Sequence, residues 1–416
     1  MPGPLSHKPF RRFLAGRVAG VMGRQIVAVT VGWDIYHRTN SALALGAVGL
    51  VQVLPVVLLA LPVGAIVDQR DRRRIGGASL VAATLVAFVL AAIAWRSAPV
   101  PWLYLALLVQ GCANAFNSPA TAALVPRLVP IEERARANAW ASTSFGLASV
   151  VGPGLAGTVI ALADSAAPAY LLAALGQAGF AFALQTLPRS VGLPEGAPAE
   201  RPDWRGGARF VFRSPLVLPA ITLDMFAVLF GGVTALLPIF AKDVLGAGPS
   251  GLGWLRAAPS LGALTMAFAG TRLSPWRRPG RALLIAVAGF GIVTLGFAAS
   301  RVFALSWGLL YLAGALDNVS VVVRATLVQM VTPDALRGRV SSIQFVFVGL
   351  SNELGEFESG LTAALLGPVG SVLLGGVATV CVVASIAASC PRLRRLGPLA
   401  ALRPEGETAA AAPVPD

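Results

Sequence analysis

Twelve apolar runs, each about 20 residues long, alternate with short polar turns through this chain of 416 residues. About 20 apolar residues of helix cross a bilayer core. The runs lie at about 15–37, 43–67, 76–96, 101–125, 138–163, 168–187, 216–241, 251–271, 280–300, 303–328, 340–364 and 368–390. They predict an all-α integral membrane protein of twelve transmembrane helices. Composition agrees. Charged residues make up 12% of the chain and hydrophobic residues 56%, with mean hydropathy +0.74; a soluble domain carries about 25% charge. The net charge of +14 does not point to nucleic acid, because the basic residues sit in short loops between apolar runs. Membrane topology and anionic lipid account for them there.

The loops also set an orientation. With both termini placed inside, 26 Lys and Arg fall on the inner side. Arg38, Arg96, Lys242 and Arg301 fall outside, and Arg24, Arg256 and Arg324 fall within runs. That bias places both termini in the cytoplasm, and the expected location is the cytoplasmic (inner) membrane. Lys8, Arg11 and Arg12 precede an apolar run too long for a cleavable leader.

Several functions are excluded. The three cysteines, Cys112, Cys381 and Cys390, lie in apolar runs without metal spacing, and two histidines cannot build a multi-histidine site. There is no H-E-x-x-H, no P-loop and no Ser/His/Asp set, so no enzyme, metal or cofactor is expected. The loops are too short for a soluble effector domain.

The chain divides into residues 1–189, a loop 190–214, residues 215–391 and a tail 392–416, expected to be disordered because it is rich in Ala, Pro and Glu. Within the loop, Asp203–Arg213 reads as a short basic interfacial helix. The two long parts repeat each other. Leu124, Val125, Pro130, Arg134 and Arg136 align without a gap on Leu327, Val328, Pro333, Arg337 and Arg339, at an offset of 203. Two six-span halves repeated in parallel are one plan of membrane transporters.

Between the second and third runs stands LPVGAIVDQRDRRRI, Leu61–Ile75. Its charges are too costly for a bilayer core, at about 2.5–3.5 kcal/mol each, so it is a charged hinge. Gly64 would let helices approach closely. Asp68 would accept hydrogen bonds from a helix N-terminus or pair with an arginine. The order Gly64, Asp68, Arg72, Arg73 resembles the loop between helices 2 and 3 of the major facilitator superfamily. Asp71 stands where many members have glycine. Around Gly270–Arg281 the hinge recurs weakly, without its aspartate.

The fifth run holds GLASVVGPGLAG, with Gly146, Gly152, Pro153, Gly154 and Gly157. Such small residues favour tight helix packing, and the pattern resembles the span 5 motif of facilitator antiporters. WDIYHRTNSALALGAVGL, Asn117–Pro130, LDMFAVLFGGVTALLPIFAKDVL, LGWLRAAPSLGAL and SNELGEFESG resemble the drug-efflux and enterobactin-exporter-like branch (the transmembrane secretion effector family). This resemblance implies two six-helix bundles in pseudo-twofold repeat. It also implies a secondary transporter that exports a small amphipathic drug or siderophore by alternating access and proton antiport. Nutrient uptake, or flipping of a lysophospholipid, is the alternative. The implied partners are a small-molecule substrate, protons and the lipid bilayer; a monomer is expected.

Ionisable groups inside spans are functional candidates by default, because burying them is costly. They are Arg24 in span 1, Asp224 in span 7, Asp317 and Arg324 in span 10, and Glu353 and Glu356 in span 11. Asn114 in span 4 is the repeat mate of Asp317. By resemblance, spans 1, 4, 7 and 10 line the central cavity. Arg324 lies two turns after Asp317 on the same face, so these two could instead form a structural pair. Glu353 and Glu356 are i,i+3 neighbours that cannot both ionise easily in low dielectric; pairing with Arg24 or Arg256 is the alternative. Many proton-driven facilitators carry an arginine just before a Gln-Gly pair in span 4. Here Gln110–Gly111 is present, but 103–109 holds no arginine.

Overall fold

The computed structural model describes residues 3–193, 204–270, 272 and 278–397. Loop residues 194–203, half of the second hinge (271 and 273–277) and tail residues 398–416 lie outside them.

Every regular element among the described residues is a helix. They are α1 (Lys8–Thr39), α2 (Ala42–Gln69), α3 (Arg72–Trp95), α4 (Val100–Ala122), α5 (Arg134–Ala163), α6 (Ala167–Gln185), α7 (Arg189–Gly192), α8 (Trp204–Arg213), α9 (Val217–Phe230), α10 (Val233–Ile239), α11 (Gly248–Gly270), α12 (Pro279–Ala299), α13 (Phe303–Val331), α14 (Arg337–Ser389) and α15 (Pro391–Arg394). Nine stretches of the described residues are long and apolar enough to cross a membrane. The helices α4 and α11 add 23 residues each.

The helix α14 spans 53 residues but is not straight. Thr362 Oγ1 and Ser371 Oγ lie 2.7 Å apart, whereas nine residues of straight helix separate them by about 13 Å. The chain therefore folds back, at Gly367 with φ 77°. The left-handed region is open to glycine at little cost, and the two arms of α14 are spans 11 and 12. Span 7 departs from the sequence expectation of one continuous run over 216–241. It breaks at Gly231–Gly232, between α9 and α10, and then widens into a π turn at Phe240–Val244. The break packs on span 11: a Cβ at Gly232 would lie 2.7 Å from the Gly355 carbonyl oxygen.

Local chemistry fixes several helix ends. Ser41 Oγ accepts from Ala44 N at 3.3 Å to start α2. Asp71 Oδ1 accepts from Arg73 N at 2.9 Å and Arg74 N at 3.3 Å to start α3. The internal repeat extends beyond its sequence match. Pro130 and Pro333 each precede a 3-10 turn, Ile131–Glu133 and Asp334–Leu336, and then α5 and α14 begin at Arg134 and Arg337. Asp164, which ends α5, also has positive φ, 48°, at the same offset of 203 from Gly367.

In the first half, α1 packs on α5 and α6, α3 on α4 and α6, and α2 on α4. In the second, α13 packs on α11 and α12, while α14 packs on α9 and α12. The halves meet along two seams, α5 on α11 and α2 on α14. Both seams are built on glycine. A Cβ at Gly253 would lie 2.5 Å from the Pro153 carbonyl oxygen, and one at Gly157 would lie 3.0 Å from Gly253 Cα. Across the other seam, a Cβ at Gly46 would lie 2.9 Å from Gly360 Cα. Helices in lipid gain by such close approach because apolar burial does not favour protein over lipid tails. Large apolar side chains such as Leu85, Leu162, Ile285 and Leu365 are exposed on the outside, as lipid requires.

Candidate functional site

The candidate residues fall into four places. The first is a cleft of about 150 Å³ inside the first half, between α1, α3, α4 and α6. Arg24 and Asn114 line it, together with Arg17, Gln110, Asn117 and Gln177. Arg24 stands over the Phe145 ring, 5.9 Å from its centroid. Gln110 and Gln177 are 3% and 1% exposed. Beside the cleft, Gln25 Nε2 donates to Ser149 Oγ at 2.8 Å and ties α1 to α5. Gly111, next to Gln110, packs on α2: a Cβ there would meet Pro55 Cγ at 3.1 Å.

The second place lies between α9 and α13. Asp224 and Arg324 are both buried, at 4% and 3% exposure, and form an ion pair. The structural pair of Arg324 with Asp317, one of the two readings open from sequence, is not the one formed. Both lie on α13, but Arg324 turns to the α9 carboxylate, where two buried charges compensate each other. Asp317 is half-buried and has no ion pair among the described residues.

The third place is the seam of α2 with the first arm of α14. A Cβ at Gly49 would lie 2.6 Å from the Glu353 carbonyl oxygen and 3.4 Å from Glu356 Oε2. Glycine thus lets Glu356 lie against α2. Arg256 of α11 sits within electrostatic range of both carboxylates and donates to the Thr234 carbonyl oxygen at 3.1 Å. Two acids facing one base leave one carboxyl without a counter-charge. Of the two partners considered from sequence, Arg256 is the one placed here; Arg24 lies in the cleft of the first half.

The fourth place is the charged hinge. Arg72 Nη2, at the start of α3, lies 3.2 Å from Asp68 Oδ1, near the end of α2, and the Asp68 side chain is 69% exposed. Arg73 Nη1 donates to the Leu187 carbonyl oxygen at 2.5 Å, fixing α3 to the end of α6. Gly64 does not serve the close helix approach expected of it. It is exposed, and nothing lies within 4 Å of a Cβ built there; at this level α2 packs on α4 through its neighbours Val63 and Val67 instead. In span 5, Gly146, Gly152 and Gly157 and the Pro153 carbonyl are in tight contact, whereas Gly154 faces open space.

The end of the molecule opposite the hinge holds a polar cluster that joins the two halves. The Tyr36 hydroxyl donates to Asp243. Lys242 Nζ donates to Asn40 Oδ1 at 2.7 Å and stands 5.3 Å from the Tyr36 ring centroid. Asp34, Arg38 and Tyr170 meet nearby, with Arg38 Nε donating to Asp34 Oδ1 at 2.6 Å. Tyr36 and Asn40 belong to the first half, Lys242 and Asp243 to the second, so the halves are joined across this end. Only the long-range pairing is new; an aromatic and an amide at the end of α1 are too common to be a signal. Arg17, Gln110 and Gln177 were likewise missed as site residues, although a glutamine in an apolar span is a readable signal.

Comparison with known proteins agrees with this architecture. The Major Facilitator Superfamily profile matches residues 13–355. Enterobactin exporter EntS of Shigella boydii is 26% identical over 384 residues, covering 89% of each chain. EntS of Escherichia coli O1:K1 / APEC is equally similar. Among solved structures, a peptide transporter POT superposes with TM-score 0.72 at 14% identity, covering 94% of this chain and 96% of that one. The nucleoside transporter NupG superposes with TM-score 0.71 at 13% identity, covering 92% and 99%. A bacterial homologue of the lysosomal transporter Spinster, inward-facing and unoccupied, gives 0.70 at 14%, covering 92% and 95%. A profile match over most of the chain, on a repeated helical frame joined by two glycine seams, shows that the chain is a membrane transporter of the major facilitator superfamily.

Proposed function

We propose that this transporter exports a small amphipathic molecule, of drug or siderophore type, across the cytoplasmic membrane by alternating access. The observation that carries the reading is the similarity to enterobactin exporters over 89% of both chains. The polar and aromatic lining of the cleft and the stacked Phe226 and Phe230 of α9, 6.0 Å apart, suit such a cargo better than a sugar. The basic hinge end is cytoplasmic, both termini lie inside, and the protein acts as a monomer. Residues 1–189 and 215–391 move as the two rocking bodies, each a six-helix bundle, with 190–214 as their tether and 392–416 as a cytoplasmic tail.

The two bodies pivot on the glycine seams. Tyr36–Asp243 and Lys242–Asn40 hold the outer end closed in this state, while among the described residues Asp68 and Arg72 pair with each other. In the opposite state these two turn to the facing half and latch the inner end. Protons drive the cycle. In the Glu353/Glu356/Arg256 group the carboxyl without a counter-charge is the one that takes up a proton, and Asp317, which has no counter-charge, is the second exchangeable site. Asp224 and Arg324 hold spans 7 and 10 together during the movement.

The test is efflux from proteoliposomes with and without an imposed pH gradient, across dyes, macrolides and catechol or hydroxamate siderophores. Gradient-dependent movement of one class is the expected result. Movement that ignores the gradient favours an uptake facilitator or a lysophospholipid flippase instead.

A further inference from the structure

The cleft inside the first half has an unusual charge balance. Arg17 and Arg24 both line it, seven residues apart on one face of α1, about 10 Å along the helix. No acidic side chain lines it, and neither arginine has an ion pair among the described residues. Arg24 lies within a span, where a charge without a counter-charge is costly, and Arg17 adds a second like charge to the same cleft. Around them stand polar groups without protein partners: Arg17 Nε, Asn117 Nδ2, Gln110 Oε1 and both amide atoms of Gln177. Gln177 is 1% exposed and Gln110 3%. Buried amides of this kind are almost always hydrogen-bonded. Three helices thus converge unsatisfied donors and positive charge on one small space.

We propose that this cleft is a subsite for the oxyanion, a carboxylate or phosphate, of an amphipathic cargo. The proposal rests on the export reading above and narrows its substrate class to anions. Arg17 and Arg24 neutralise the charge, since guanidinium forks match carboxylate and phosphate oxygens. Asn117 Nδ2 and Gln177 Nε2 supply further donors, and the two glutamine oxygens accept from a hydroxyl on the cargo. The cleft's volume of about 150 Å³ matches a cavity that holds one benzene ring. Whole drug-sized ligands occupy about 300–1,000 Å³. The cleft therefore takes a headgroup or one acidic ring, with the Phe145 face beside it, and the remainder of the cargo lies outside. The anion brings the missing counter-charge with it, so the cost of the two arginines is offset only when cargo is bound.

The experiment is binding to the purified full-length protein in neutral-lipid nanodiscs, by thermophoresis. The probes share one tail: dodecanoate, dodecyl phosphate, neutral dodecyl glyceryl ether and cationic dodecyltrimethylammonium. At least one anion is expected to bind tenfold or more tightly than the neutral probe, and the cation most weakly. Preference for the phosphate marks a lysophospholipid-like headgroup, and preference for the carboxylate marks a free organic acid. The preference should fall about tenfold in Arg24→Gln and in Arg17→Gln, as loss of a charge-assisted bond implies, while the neutral probe binds unchanged. Gln177→Met, which keeps both arginines, should weaken the anions less and serves if an arginine variant fails to fold. Equal binding of anionic and neutral probes overturns the proposal, as does an anion preference that survives both arginine substitutions. Anion binding without any efflux leaves the subsite standing and removes the export reading; efflux without anion preference removes the subsite alone.

Discussion

Arg324 pairs with Asp224 of α9 across the helix interface, and not with Asp317, which lies on its own helix seven residues earlier. The pair makes a direct prediction for stability. Removing one partner of a buried ion pair costs about 3–5 kcal/mol, whereas replacing both with apolar groups is often neutral. Asp224→Asn should therefore lower the unfolding midpoint in detergent sharply. The double variant Asp224→Leu with Arg324→Met should recover most of the loss. If the double variant is as unstable as the single one, the pair is not the source of the effect.

Polar contacts join the two halves at the end opposite the hinge, on top of an apolar core that spans both, and opening there should respond to the loss of one of them. Tyr36→Phe removes the hydroxyl that donates to Asp243, a hydrogen bond to a charged group worth about 1.5–3 kcal/mol. Its loss should shift the population toward outward opening roughly tenfold or more. Labelling of a cysteine at Ala44 by an impermeant maleimide reports this as a rate. An unchanged rate in Tyr36→Phe would mean that packing alone closes the end.

At the α5–α11 seam a single methyl group is too much. A Cβ at Gly253 would lie 2.5 Å from the Pro153 carbonyl oxygen, and backbone cannot yield as a flexible side chain does. Gly253→Val should cost about 1–3 kcal/mol, as overpacking does, and should slow transport. Gly154→Val, at the one open glycine of the span 5 motif on the facing helix, should be near wild type in both. Equal effects at the two positions would show that the seam does not depend on close approach.

The Glu353/Glu356/Arg256 group predicts a separation of coupling from movement. Glu356→Gln removes one of the two carboxyls without changing side-chain size. Downhill movement of cargo should persist, while stimulation of efflux by an inward proton gradient should be largely lost. Full stimulation in both Glu353→Gln and Glu356→Gln would shift coupling to Asp317.

For the hinge, Asp68→Asn should leave membrane insertion intact and impair the conformational cycle. The Asp68 side chain is mostly exposed here, so its substitution should cost little stability in this state. Efflux and unfolding midpoint measured on the same preparation separate the two effects. Wild-type efflux by the variant would sink the latch.

The fold was largely legible because the bilayer allows few solutions. A closed helix satisfies its own backbone, so apolar length alone marks a span, and the offset of 203 relates the two halves. Where the sequence misled, local pattern competed with geometry that pattern does not carry. Gly231–Gly232 sits inside an apolar run, and its break is set by the approach of Gly355 and Ser359. Arg324 has an acid two turns away on its own face, which favours the wrong partner. Gly64 and Gly154 are small residues in packing patterns but face open space in this conformation. The Tyr36–Asp243 contact joins residues 207 apart, and nothing local in either segment announces the other. Arg17 looked like one more basic residue near the N-terminus until the fold placed it beside Gln177.

The turn at Gly367 bears on how the protein is made. Spans 11 and 12 share a connection with no room for a loop, and Thr362 and Ser371 are already bonded across it. The short connection predicts that the last two spans enter the bilayer as a hairpin, which glycosylation mapping of chains truncated after Gly367 would check. A reporter spliced in at 367 would interrupt biogenesis and not merely mark topology. The matching bend at Asp164 offers a gentler site for such a tag, since Ser165 and Ala166 separate it from α6.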